Sequence, residues 1–112
     1  MDILVDYRDD IVVMTCAGRM TLEEGRAELR ELFIDAMASG RQDFVIDLAA
    51  VPYMDTSVLG ELMACWKRAA ECGGLVKLVL EPDGRVLQLL RMTGLDKIFE
   101  PYDGVDVAIA AF

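Results

Sequence analysis

The chain has 112 residues, enough for one domain with its own core, and 54% of them are apolar. Its 20 acidic and 11 basic residues give a formal charge of −9, which disfavours direct binding to a nucleic-acid backbone or an anionic lipid surface. With no histidine anywhere, Ser-His and Cys-His nucleophile pairs and histidine-based zinc sites are excluded.

Apolar residues are interleaved with charges, and no stretch approaches the roughly 20 apolar residues that a membrane helix needs. The N-terminal segment Met1-Asp2-Ile3-Leu4-Val5-Asp6 lacks the basic flank and long apolar run of a secretory signal, so a cytoplasmic location without membrane insertion is expected. Cys16, Cys65 and Cys72 form no CxxC motif, and an odd number of them points to reduced thiols; all three read as small buried side chains.

Residues 3–7 and 11–16 read as strands joined by an acidic turn at Asp9-Asp10, a hairpin at one end of a sheet. Thr21 with Glu24 three residues later forms a capping-box pattern, which predicts a helix starting at Leu22. In that helix Leu22, Leu29, Leu32, Phe33, Ala36 and Met37 recur at three- and four-residue intervals, and Ser39-Gly40 closes it. Residues 44–51 form a nearly unbroken apolar run, as expected of a central strand covered on both faces, with Asp47 its one charged residue.

A second helix follows Asp55, with Val58, Leu59, Leu62, Met63, Trp66, Ala69 and Ala70 in helical period until Gly73-Gly74. Residues 75–80 form another strand, Pro82-Asp83-Gly84 a turn, and residues 86–92 a third helix broken at Thr93-Gly94. Residues 98–102 suit a short strand that Pro101 confines to a sheet edge, and residues 105–112 a last helix. The order predicts a single α/β domain over residues 1–112: a mixed sheet of about four to five strands, an N-terminal hairpin and about four helices.

Architecture alone assigns no function. The suggestive local feature is Tyr53-Met54-Asp55-Thr56-Ser57-Val58-Leu59-Gly60, which sets one carboxylate and two hydroxyls where a buried strand ends and a helix begins. Taken alone, the triplet reads as a helix cap, with Asp55 the acceptor for orphan backbone donors.

This segment and its surroundings resemble the signature of the STAS family, the anti-sigma-factor-antagonist domains of partner-switching pathways. The family's strand ending in Asp, then Asp-Ser-Ser/Thr-Gly-Leu-Gly opening a helix, is matched by residues 45–54 running into Asp55-Thr56-Ser57-Val58-Leu59-Gly60. Further matches are Ala17-Gly18-Arg19-Met20, residues 67–74, and Leu90-Arg91-Met92-Thr93-Gly94-Leu95-Asp96. The resemblance implies a non-enzymatic regulator without a cofactor. Its switch and docking surface would comprise Asp55, Thr56, Ser57, Val58 and Gly60, and its phosphoacceptor would be Thr56, with Ser57 the alternative. The implied partners are an anti-sigma factor with a histidine-kinase-like ATPase domain that phosphorylates serine or threonine, and a PP2C-type phosphatase. The other reading it leaves open is an unphosphorylated scaffold, such as an accessory subunit of a lipid-trafficking transporter.

Val58 departs from the family's glycine, and its branched side chain is expected to narrow the approach of a kinase. Gly60 is expected to let a neighbouring chain segment come close. Leu59, Leu62 and Met63 read as core, while Trp66 is open to either core or partner. Arg26, Arg30, Lys67 and Arg68 read as solvated charges on helix faces, forming no stripe. Asp47 reads as a hydrogen-bonded structural carboxylate rather than a metal ligand. Gly73-Gly74 and Gly84 make neither a GxGxxG nor a Walker A pattern, so the chain has no visible nucleotide site.

Overall fold

In the computed structural model, which describes residues 1–112, β1 (Asp2–Arg8) and β2 (Ile11–Ala17) form the expected antiparallel hairpin. Asp9 turns it in the left-handed region (φ 56°), which Asp tolerates better than most residues. β3 (Asp43–Ala50), β4 (Val76–Val79) and β5 (Pro101–Tyr102) follow in parallel, giving one sheet of order β1-β2-β3-β4-β5. Pro101 sits on the outer strand, where its missing N–H costs no ladder bond. The connecting helices are α1 (Arg26–Ala38), α2 (Thr56–Glu71), α3 (Arg85–Thr93) and α4 (Val105–Ala110).

The period-two alternation of the strands divides the sheet's neighbours. Val12, Met14, Phe44, Ile46 and Leu78 share one core with Leu29 and Phe33 of α1, Leu62 of α2 and Leu90 of α3. There the Phe33 ring stacks on Phe44 with centroids 3.9 Å apart. The intervening residues Val13, Val45 and Val79 point the other way and pack beneath Ala108 of α4. Coverage on both faces explains why β3 reads as a continuous apolar run. Because the α1 and α2 connections join parallel strands, both helices begin beyond the carboxyl ends of those strands, the edge at which α/β folds commonly place ligands.

Three expectations need correction. The helix begins at Arg26, not Leu22: Thr21 Oγ1 does accept the Glu24 N–H at 3.2 Å, but the Thr21 N–H also donates to the Glu24 carbonyl at 2.7 Å. The pair therefore closes a tight turn, Gly25 leaves it at φ 92°, and Leu22 ends up exposed. Cys72 is exposed at the end of α2, whereas Cys16 and Cys65 are buried and their thiols are pushed up to about 12, chiefly by burial. At that value the buried thiols are inert at neutral pH. Arg30 and Lys67 are exposed as expected, but Arg68, distant in sequence from Arg26 and Arg30, joins them and Glu61 along one groove between α1 and α2.

Candidate functional site

The start of α2 is held by a single carboxylate. Asp55 occupies the N-cap position in extended conformation (φ −93°, ψ 174°), and its Oδ1 accepts the Val58 N–H at 3.2 Å. The same oxygen accepts the Ser57 hydroxyl at 2.6 Å, while Oδ2 accepts the Leu22 N–H of the β2–α1 loop at 3.0 Å. One side chain thus caps a helix and also ties two loops together. The backbone adds to the weld, with Met20 donating to Tyr53 at 3.0 Å and Asp55 donating to Met20 at 3.2 Å.

These bonds set the electrostatics of the cap. The Ser57 hydroxyl, with help from the Leu22 and Val58 N–H groups, holds the Asp55 carboxyl below the ordinary carboxylate range, against the opposing effect of partial burial. Asp55 is therefore ionised at neutral pH and accepts only.

The two hydroxyls are unequal. Thr56, the first residue of α2, is exposed, and its hydroxyl enters none of the side-chain hydrogen bonds of the chain. Ser57 is half-buried and committed to Asp55. Thr56 is the more accessible of the pair.

Val58 lies wholly in the core, so its branched side chain fills the space between helix and sheet and does not narrow the approach to the hydroxyls. Nor, outside the neighbouring backbone of α2 itself, does anything in the chain come within 4 Å of a Cβ placed on Gly60, although a close internal approach was expected there. Trp66 packs partly buried against the main core, as Met63 does. Asp47 accepts the Ala49 N–H at 3.0 Å where β3 is running out, which accounts for a carboxylate in an apolar strand.

Sequence reasoning missed the surroundings of Ser57. Glu61, one turn further along α2, is buried and accepts from Arg68 Nη1 at 3.0 Å, with Arg26 Nε 4.0 Å away. An acidic residue at a core-facing helical position four before Cys65 and seven before Arg68 was the available signal. The side facing α3 carries Tyr53, its ring beneath the Arg19 guanidinium at 4.8 Å, and the strongly exposed Met92.

A mixed sheet with a hairpin start, and a capped helix displaying two hydroxyls at its carboxyl edge, define an α/β domain whose site is a helix N-terminus. The STAS domain model matches residues 2–108, and the chain belongs to that family. A Thermotoga maritima protein described as an anti-sigma factor antagonist is 26% identical over 101 residues, spanning 90% of this chain and 88% of its own. The solved structure of an anti-sigma factor antagonist from Mycobacterium paratuberculosis is 26% identical, with a TM-score of 0.85 over 98% of this chain and 92% of that one. At 15% identity the likeness is one of fold alone: the Bacillus cell-fate determinant SpoIIAA in its phosphorylated form has a TM-score of 0.76 over 98% of each chain.

Proposed function

We propose that this chain is an anti-sigma factor antagonist that binds a kinase-type anti-sigma factor while unphosphorylated and is released when Thr56 is phosphorylated. The single observation that carries the reading is the exposed, uncommitted Thr56 hydroxyl on the first residue of a helix whose capping carboxylate is engaged by Ser57 and Val58 instead. Two relatives at 26% identity described as antagonists support it. The partner supplies ATP and the catalytic groups, and a PP2C-type phosphatase resets the switch. This chain contributes a rigidly presented hydroxyl.

Phosphorylation would add about −1.5 to −2 charges and strong acceptor oxygens at a helix N-terminus, where the macrodipole and free N–H groups tolerate an anion. The fold would therefore persist, as it does in the phosphorylated Bacillus protein. What changes is the docking surface, where a small neutral hydroxyl becomes a bulky dianion beside the ionised Asp55, and its desolvation opposes the complex. Thr56→Asp is expected to weaken binding to the anti-sigma factor while leaving the melting temperature within a few degrees of the parent. Calorimetric binding and thermal melts on the same samples check it; loss of fold together with binding would make the segment a structural cap only.

A further inference from the structure

Ser57, Gly60, Glu61, Ala64 and Arg68 follow one another along one face of α2, and Arg26 and Arg30, one turn apart, face them from α1. Gly60 and Ala64 are small, and the result is an open groove of about 470 Å³ with the Ser57 side at its upper end. Three guanidinium groups line it against one carboxylate, in a chain whose formal charge is −9. Glu61 is buried and already engaged by Arg68 and Arg26, and Arg30 makes no ion pair. Further along α1 the groove continues past Glu31 and Ile34, and Asp55 lies on the far side of Ser57. Thr56 lines neither stretch.

Resting on the reading of the Asp55-Thr56-Ser57 segment as a phosphorylation segment, we infer that the α1–α2 groove is a receiver for a phosphate monoester, with Ser57 as its nearest carrier. A phosphoryl group on Ser57 is then neutralised within the molecule, whereas one on Thr56 faces the partner. In the transfer, Ser57 Oγ bonds to the γ-phosphorus of a nucleoside triphosphate held by a kinase, and the bond to the β–γ bridging oxygen breaks, leaving the diphosphate. The hydroxyl proton passes to Asp55 Oδ1, which it already faces at 2.6 Å, and from there to water. Once esterified, Ser57 no longer donates to Asp55. Like charge turns the phosphoryl group away from that carboxylate and towards Arg26 and Arg30, whose forked donors suit phosphate oxygens. Modification at the two adjacent hydroxyls therefore has opposite consequences: exposed charge at Thr56, masked charge at Ser57.

The test uses full-length protein with phosphoserine installed during synthesis at position 57 or, separately, at position 56, with inorganic phosphate added to the unmodified chain as a third arm. Phosphorus NMR titration is expected to place the second ionisation at position 57 about one unit below that at position 56, since opposite charges at close range lower it. Both positions share the helix N-terminus, and the Asp55 carboxylate beside Ser57 would raise the value at 57, so a lower value there is assigned to the arginines. Arg26→Gln and Arg30→Gln together should abolish it while leaving the Arg68–Glu61 pair in place. Circular dichroism is expected to show the same fold in all forms. Equal ionisation at the two positions, insensitivity to the arginine variants, or unfolding only with phosphoserine at 57 would overturn the inference. If inorganic phosphate shifts the Arg26 and Arg30 side-chain resonances but phosphoserine at 57 does not, free phosphate is the ligand and Ser57 is not the carrier. Because no kinase is involved, failure to find one for this chain bears on Thr56 and leaves this result intact.

Discussion

Two glycines of the α2 region serve opposite ends of the molecule. At Gly74, just past the helix, an added Cβ would stand 1.9 Å from the Gln42 carbonyl oxygen, so the loops entering β3 and β4 meet backbone to backbone. At Gly60, inside the helix, the same atom would meet nothing within 4 Å outside the neighbouring backbone of α2 itself. Aspartates tie the loops at both ends, Asp43 accepting the Leu75 N–H at 3.0 Å at one and Asp55 accepting the Leu22 N–H at 3.0 Å at the other. The two edges are thus alike in how they are tied and differ in whether they are full. Gly74 is required by internal packing. A glycine inside a helix costs about 0.5–1 kcal/mol relative to alanine, and within this chain no contact offsets that cost at Gly60. The open edge is the one with the hydroxyls, and the room there suits something that arrives from outside.

The sharpest way to break this contrast is Gly74→Ala, expected to destabilise by about 1–3 kcal/mol because the obstacle is main chain and cannot swing aside; denaturant melts measure it. Asp55→Ala should cost about 1–2 kcal/mol, the range for losing an N-cap, and should also free the β2–α1 loop, read as faster amide exchange at Leu22 as well as Val58. Gly60→Ala is expected to reverse the sign, stabilising the free protein by about 0.5–1 kcal/mol while weakening its complex with an anti-sigma factor. A gain in stability with unchanged binding would leave Gly60 outside the docking surface.

The smallest effect concerns acid. Asp55 has a folded-state value below its unfolded one of about 3.9, so its contribution is complete above that value and is lost as pH falls through the lower folded value. The stability gap between the parent and Asp55→Asn should therefore be constant near neutrality and narrow below about pH 4. Thermal melts across that range test the sign.

Most of the fold was legible because periodicity carries it: the β3 run and the α2 spacing stand close to where the sequence puts them, and Pro101 is at the sheet edge as expected, although the strand there is only Pro101–Tyr102 and not 98–102. The start of α1 was not. A capping-box pattern specifies hydrogen bonds, and those bonds can close a turn as well as open a helix; here the Leu22 N–H is taken by Asp55, 33 residues away. The hydroxyl segment was legible as a motif, but its geometry was not, since whether Thr56 or Ser57 stands free depends on which one Asp55 holds. The Val58 departure changed its meaning once its burial was known, since a side chain facing the sheet cannot obstruct a partner. The arginine groove was invisible because Arg30 and Arg68 meet only through the packing of α1 on α2.

The switch is tested most directly by incubating the purified chain with kinase-type anti-sigma factors and ATP and locating the phosphate by mass spectrometry. A phosphate on Thr56 and dissociation of the complex are expected, with neither occurring in Thr56→Ala. A stable complex in ATP with no phosphate on Thr56 or Ser57 would contradict the switch and make the chain a constitutive scaffold.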